Sequence, residues 1–185
     1  MQEEFTLNNG GFMLTIAYKL SSLCFSKLMQ VYREGNIENG AVRYPHLSVD
    51  RQEAAAEQDF YQYLNEVFFC QENSLYAILQ DNGEYIAALR MEPYCDGLLL
   101  CALETAPEQR GKGYATLLIR QVIQYLAKQG AGTIYSHVSK RNIASLAVHR
   151  KCGFSIAADN AVFSDGSVNN RTYTLKRTYK KSESG

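Results

Sequence analysis

The sequence predicts a mixed α/β fold, and three observations lead to it. From residue 98 onward strand-like and helix-like runs alternate: an apolar run at 98–105, a glycine-bearing turn, a helical pattern at 114–129, a β-branched run at 133–138, a short helix at 142–151 and a strand opening at Phe154. Before that, Asp81-Asn82-Gly83 separates two strand-like runs at 74–80 and 84–93, a strong hairpin signal. Earlier still, apolar residues recur at helical spacing in two stretches that no strand interrupts.

The elements follow in order. Residues 12–20 read as a first strand, ending near Ser21-Ser22. Leu23, Phe25, Leu28, Met29, Val31 and Tyr32 then have the spacing of a helix to about Glu34, and residues 35–48 read as loop. Asp50 is placed to cap a long helix through Phe69, with Glu53 three residues on completing a capping box. Its second half holds Phe60, Tyr61, Tyr63, Phe68 and Phe69, read mostly as core. The three strands at 74–80, 84–93 and 98–105 are antiparallel neighbours by their short connections. Ala106-Pro107 breaks the last of them. Leu117, Leu118, Val122, Tyr125 and Leu126 mark the next helix, and Gly130 stops it. After the strand at 133–138, Asn142 suits an N-cap and Gly153 a C-terminal stop. A hairpin tip at 164–167 precedes a last strand around 171–176.

Chemistry concentrates at Arg110-Gly111-Lys112-Gly113-Tyr114-Ala115, where a strand stops and a helix begins. Glycine lets a ligand approach the backbone, and the first amides of a helix have no intrahelical partner. Those N–H groups and the helix dipole favour an anion such as a pyrophosphate, with Arg110 and Lys112 adding positive charge. The run has no Gly-Lys-Ser or Gly-Lys-Thr ending and only part of the three-glycine dinucleotide fingerprint, so another phosphate ligand is required. A second constellation, Asn142, Ser145, Val148, His149, Lys151, Gly153 and Phe154, follows one strand later.

Together these two segments resemble the GNAT superfamily of acyl-CoA-dependent N-acetyltransferases. Arg110, Gly113 and Ala115 stand on that family's pyrophosphate-loop positions. Asn142 to Phe154 is similar to its Asn-x-x-Ala-x-x-Leu-Tyr-x-Lys-x-Gly-Phe segment, with Ser145 for alanine, Val148 for leucine and His149 for tyrosine. The resemblance implies a GNAT-like fold: mainly antiparallel N-terminal strands, and a parallel pair, 98–105 with 133–138, that splays apart between flanking helices. It implies acetyl-CoA as cofactor, its pantetheine arm filling the splay beside Leu103 and Thr105 and its pyrophosphate on Arg110, Gly111, Lys112, Gly113, Tyr114 and Ala115. The expected reaction is direct transfer of the acetyl group to a primary amine of a small-molecule or peptide acceptor. A non-catalytic acyl-CoA-binding or sensing protein is the alternative.

The family's tyrosine protonates the departing thiolate. His149 is a candidate for that acid, because an imidazole near its ordinary pKa is available in either state; a ring merely tolerated on a buried helix face is the other reading. Glu104, at the strand end beside the loop, is the leading base candidate, with Glu92, Asp96 and His137 behind it. Strand alternation leaves open which way Glu104 points. Asn142 suits either the cofactor or a plain helix cap. The acceptor site is assigned to the first helices, residues 35–48 and the terminal hairpin.

The 185 residues suit one domain, 1–185, with 1–11 and 177–185 expected to be peripheral or flexible. Nineteen basic and nineteen acidic residues argue against a nucleic-acid surface. No leader or long apolar run is apparent, so a cytoplasmic protein without a membrane partner is expected. The five cysteines, without short paired spacing, read as buried reduced thiols rather than disulfides or a zinc site. A homodimer is open by analogy alone.

Overall fold

A computed structural model describes residues 5–9, 11–130 and 132–178. Its backbone runs β1 (Phe5–Asn9), β2 (Phe12–Ala17), α1 (Phe25–Val31), α2 (Arg33–Arg43), α3 (Val49–Tyr63), β3 (Leu75–Asp81), β4 (Glu84–Tyr94), β5 (Gly97–Thr105), α4 (Tyr114–Lys128), β6 (Thr133–Ser139), α5 (Ile143–Lys151), β7 (Ser155–Ala158), β8 (Ala161–Val162), β9 (Val168–Asn169) and β10 (Thr172–Thr178). Eight strands form one sheet in the order β1-β2-β3-β4-β5-β6-β10-β7, and β8 and β9 form a separate hairpin. Every neighbouring pair is antiparallel except β5 and β6.

The expected mixed α/β architecture is therefore present, with four differences. Residues 5–9, expected to be peripheral, form an edge strand in register with β2 from Phe5↔Ile16 to Asn9↔Phe12. At the other end Arg177 and Thr178 belong to β10, and residues 179–185 lie outside the described residues. The helix expected over 21–34 starts only at Phe25 and turns at Tyr32 into α2, which occupies most of the stretch read as loop. Glycines and asparagines hid it, yet Gly40 packs so close to α3 that a Cβ would come within 2.5 Å of the Gln52 carbonyl oxygen. Tertiary packing overrides weak propensity there. Finally, Ser48 rather than Asp50 is the N-cap of α3, Asp50 lies in its first turn, and α3 ends in a π-helical turn at Leu64–Phe68.

The hairpin between β3 and β4 turns on Asn82 and Gly83, both at positive φ, which is the left-handed pair a tight two-residue hairpin demands. Two cores lie on opposite faces of the sheet. On one, Leu14, Ile16, Leu79, Leu89, Met91 and Leu100 pack against α4 through Leu118, Val122 and Leu126, with Leu146 and Val148 of α5 beside them. On the other, Tyr76, Ile78 and Ala88 pack against Leu28, Val31 and Phe68 from α1 and the turn after α3. The site lies between these cores, where the sheet opens.

Candidate active site

β5 and β6 pair over only three positions, Leu98↔Ile134, Leu99↔Tyr135 and Leu100↔Ser136. Beyond them each strand runs on, to Thr105 and Ser139, without the other. Their start is pinned tightly: a Cβ on Gly97 would come within 2.3 Å of the Thr133 carbonyl oxygen. The result is a wedge in the middle of the sheet whose facing backbone groups have no ladder partner, a costly arrangement unless something else bonds them.

A bulge sharpens the wedge. Ala88 faces Glu104 and Arg90 faces Cys101, so two steps along β4 meet three along β5. Ala102 takes the extra place at φ +49, a left-handed conformation uncommon for a residue with a Cβ. Its carbonyl accepts a hydrogen bond from the Tyr32 hydroxyl at 2.6 Å. A cavity of about 190 Å³ occupies the wedge, bounded by residues 100–103, residues 136–139, Asn142, Ser145 and His149.

A larger cavity of about 620 Å³ under the start of α4 shares Leu103, Asn142 and Ser145 with the wedge. Leu103, Glu104, Thr105, Arg110, Gly111, Gly113, Tyr114 and Ala115 line it, together with Asn142 from α5. Of the loop residues named from sequence, Lys112 is not among its walls; its ammonium donates to Gln109 Oε1 at 2.9 Å. Gly111 and Gly113 hold φ of +76 and +86, with nothing within 4 Å of a would-be Cβ. Backbone conformation therefore demands glycine at both. Gly113 caps α4, whose first intrahelical bond runs from the Leu117 N–H to the Gly113 carbonyl, leaving the amides of Tyr114, Ala115 and Thr116 as the free N-terminal donors.

Arg110 is not idle here. It donates through Nε to the Thr105 carbonyl at 3.2 Å, and it pairs with Glu34 at 2.5 Å and Glu104 at 3.5 Å. Burial pushes the Glu104 carboxyl above its ordinary range, with Arg110 pulling the other way. Glu104 thus faces the larger cavity and Arg110, and is not a wall of the wedge. Asn142 is a helix cap, its Oδ1 accepting the Ser145 N–H at 3.0 Å, and the residue borders both cavities.

His149 is 1% exposed. Its Nδ1 lies 2.8 Å from the Ser145 carbonyl oxygen, which can only accept, so Nδ1 carries the proton. Nε2 is buried without a hydrogen-bond partner among the described residues. Burial lowers the pKa of the ring, with the Ser145 carbonyl acting in the opposite sense. The neutral ring therefore presents a bare lone pair at Nε2. Cys152, three residues on, is buried and its thiol is pushed up by burial, so it offers no thiolate beside the ring.

The opposite face of the sheet holds polar groups that sequence ranked poorly or missed. His137 also borders the wedge, between the rings of Tyr94 and Phe163 at 5.2 and 5.4 Å, and neither ring nitrogen has a hydrogen-bond partner among the described residues. Burial lowers its pKa. Glu92 accepts from Tyr63 Oη at 3.2 Å and from Cys101 Sγ at 3.3 Å. Arg90 lies over the rings of Tyr63, Phe68 and Phe60 at 4.8 to 5.9 Å, so the aromatic half of α3 and its π-helical turn enclose a cation as well as core. Asp96 stands apart from the wedge, bonded to Tyr135 Oη at 2.5 Å. Nothing in the sequence marked Arg90, since its setting exists only once α3 crosses β4. Of the cysteines, Cys24, Cys70 and Cys95 are exposed, contrary to the expected burial, and all five are unpaired.

A sequence profile of the acetyltransferase (GNAT) family matches residues 40–154, more than half of the chain. Streptothricin acetyltransferase from Streptomyces lavendulae is 25% identical over 89 residues, which are 48% of this chain and 47% of that protein. The match thus spans about half the length of that curated relative. Among solved structures, the PaiA N-acetyltransferase from Thermoplasma acidophilum in complex with coenzyme A superposes at a TM-score of 0.62 and 18% identity, covering 90% of this chain and 99% of that one. Spermidine N-acetyltransferase from Vibrio cholerae, in complex with CoA and spermine, gives 0.58 and 20% identity, covering 92% and 96%. The wedge, the glycine loop and the profile match lead to one statement of identity: the chain belongs to the GNAT acetyltransferase family.

Proposed function

We propose that the protein is an N-acetyltransferase that moves the acetyl group of acetyl-CoA directly onto a primary amine. One observation supports this above the others: a cavity headed by free helix amides shares the walls Leu103, Asn142 and Ser145 with an unpaired wedge of the sheet beside a buried imidazole. That is the shape of an anionic head, an amide-bearing arm and a reactive end. Arg110, Gly111, Gly113, Tyr114 and Ala115 would hold the pyrophosphate, with Lys112 at the rim, and the open edge of β5 at Leu103 and Thr105 would bond the arm. Acetyl-CoA supplies an acyl group on a good leaving thiol. The chain supplies backbone donors for the developing oxyanion and groups that move protons.

The amine enters as an ammonium and must lose a proton before it attacks. Glu104 serves as that base in our reading once Arg110 turns to the pyrophosphate, because its burial keeps the carboxyl basic. His149 is the proton-handling group on the cofactor side. The acceptor is a small-molecule or peptide amine approaching from the face of α1 to α3, where Glu92 and His137 lie. The sheet runs continuously from Phe5 to Thr178, which supports one domain over 1–185.

Among the described residues no helix is long and apolar enough to cross a membrane. Five unpaired thiols support a reducing, cytoplasmic setting, and the balanced charge supports a partner other than nucleic acid. Homodimerisation is proposed by analogy, and light scattering tests it.

The sensing alternative has one observation in its favour: Glu104 is tied to Arg110 and does not border the wedge. Calorimetry with acetyl-CoA, using Gly113→Glu as control, followed by an acetylation screen on an amine panel, separates the two. Binding that the control abolishes, with acetylated product, supports the transferase. Binding without product on any amine supports the sensor, and no binding by the native chain overturns both.

A further inference from the structure

His149 replaces a residue that, in the resembled family, holds a proton at rest, yet its geometry here is that of a proton acceptor. The Ser145 carbonyl fixes the hydrogen on Nδ1. Nε2 is sealed from solvent with no donor to bond among the described residues, and the residue itself borders the wedge where the thioester end of the donor would lie. A resident acid would need an imidazolium, and among the described residues no carboxylate is paired with the ring to sustain one. The titratable groups sharing the wedge are Cys101 from β5 and His137 from β6, both buried or half-buried and held neutral by that burial. From its own helix the ring is bonded to the Ser145 carbonyl and lies 3.3 Å from the Ser145 hydroxyl; Phe154 packs edge-on at 5.2 Å.

We propose that His149 is a two-way proton carrier: Nε2 takes a proton from the attacking amine nitrogen and delivers that same proton to the departing sulfur. This rests on the acetyltransferase reading above. The atoms balance without any other reactant. The neutral amine forms a bond from nitrogen to the acetyl carbon, and one N–H proton passes to Nε2, making an imidazolium braced by the Ser145 carbonyl. The C–S bond then breaks with its electron pair on sulfur, the C=O bond reforms, and the Nε2 proton passes to sulfur. The products are the amide, the free thiol and neutral His149. The charge exists on the ring only while an anion, first oxygen and then sulfur, stands beside it, so the apolar setting that disfavours a lasting imidazolium also speeds its discharge.

Nitrogen-detected NMR on protein labelled at its three histidines reads the ring directly, with His149→Gln giving the assignment. At neutral pH, free or with coenzyme A bound, the expected state is protonated Nδ1 and bare Nε2; a hydrogen on Nε2 in that range overturns the proposal. The pH profile of acetyl transfer reads the consequence. The native enzyme should rise to a plateau with no alkaline fall, and His149→Tyr, which installs a resident acid, should introduce one. His149→Gln should lose roughly 10²-fold or more in kcat at unchanged acetyl-CoA affinity. A native alkaline fall that the glutamine variant abolishes overturns the carrier alone, while a native protein that binds acetyl-CoA and acetylates no amine overturns the transferase reading beneath it. If His149→Gln fails to fold, His46→Gln and His137→Gln give the same assignment by elimination, so the ring measurement on the native chain stands.

Discussion

The Tyr32 hydroxyl is bonded to the Ala102 carbonyl at 2.6 Å, and so the junction of α1 and α2 reaches across to hold the bulge that opens the sheet. Tyr32 is 8% exposed and burial pushes its phenol up, so the hydroxyl stays a donor at all working pH values. Ala102 sits in a backbone region that costs on the order of 1 kcal/mol for a residue with a Cβ, and this bond is one of the contacts that holds it there. Tyr32→Phe should destabilise the fold by about 1–3 kcal/mol, because the carbonyl loses its buried partner, and should slow transfer more than it weakens acetyl-CoA binding. Urea denaturation beside steady-state kinetics checks both, and an unchanged midpoint would show that the bulge stands without Tyr32.

Gly97 sets the other end of the wedge. A methyl group there would press on the Thr133 carbonyl oxygen, which is backbone and cannot swing aside. Gly97→Ala should therefore cost about 1–3 kcal/mol, the range for overpacking a closely packed site, and should shift the three-residue pairing that aligns β5 with β6. A variant as stable as the native chain, with the same acetyl-CoA affinity, would contradict the close approach.

Arg110 is shared between Glu34, Glu104 and the proposed pyrophosphate. The Arg110 and Glu34 side chains are 45% and 53% exposed, so their pairing is screened and contributes little to stability. Its effect should appear in binding. Glu34→Gln removes a competing anion and should tighten acetyl-CoA binding by roughly 3-fold or more at low salt, the gain shrinking as salt screens it. Weaker binding in this variant would mean that Glu34 positions Arg110 instead of competing for it.

Two histidines give the stability a defined pH slope. Burial holds His149 and His137 below the ordinary imidazole pKa of about 6.5. The unfolded chain binds protons that the folded chain refuses, so their contribution is complete above that value and is lost as pH falls through the depressed folded values. Denaturation midpoints should drop between about pH 7.5 and pH 5, and His149→Gln should flatten part of the drop. A native midpoint that rises on acidification would show that carboxylates such as Glu104, whose raised pKa acts in the opposite direction, dominate instead.

Legibility in the sequence followed how local each cause is. The Asn82-Gly83 turn, the glycines before α4 and the Asn142 cap act within a few residues, and the sequence displays them at their observed places. The strand β1 was hidden because five residues ending in Asn8-Asn9 become a strand only against β2. α2 was hidden because its Gly40 serves a close contact with α3 rather than a turn. At the site, the loop and His149 were legible as residue types, whereas the tautomer of His149 depends on the Ser145 carbonyl, and the left-handed Ala102 carries no glycine to announce it. The diversion of Glu104 toward Arg110 and the enclosure of Arg90 depend on three-dimensional neighbours far away in the chain.

The two cores that share the sheet have a consequence for how such a protein diversifies. Side chains that support α4 and α5 point one way from the strands and those that support α1 to α3 point the other, so few residues serve both. In the proposed function, substitutions that reshape the surface offered to an incoming amine can accumulate in the first three helices while the packing beneath the glycine loop is undisturbed. On that reading a lineage can exchange its acceptor without rebuilding its means of gripping the donor, and laboratory evolution toward a new amine should find its permissive positions among residues 25–68.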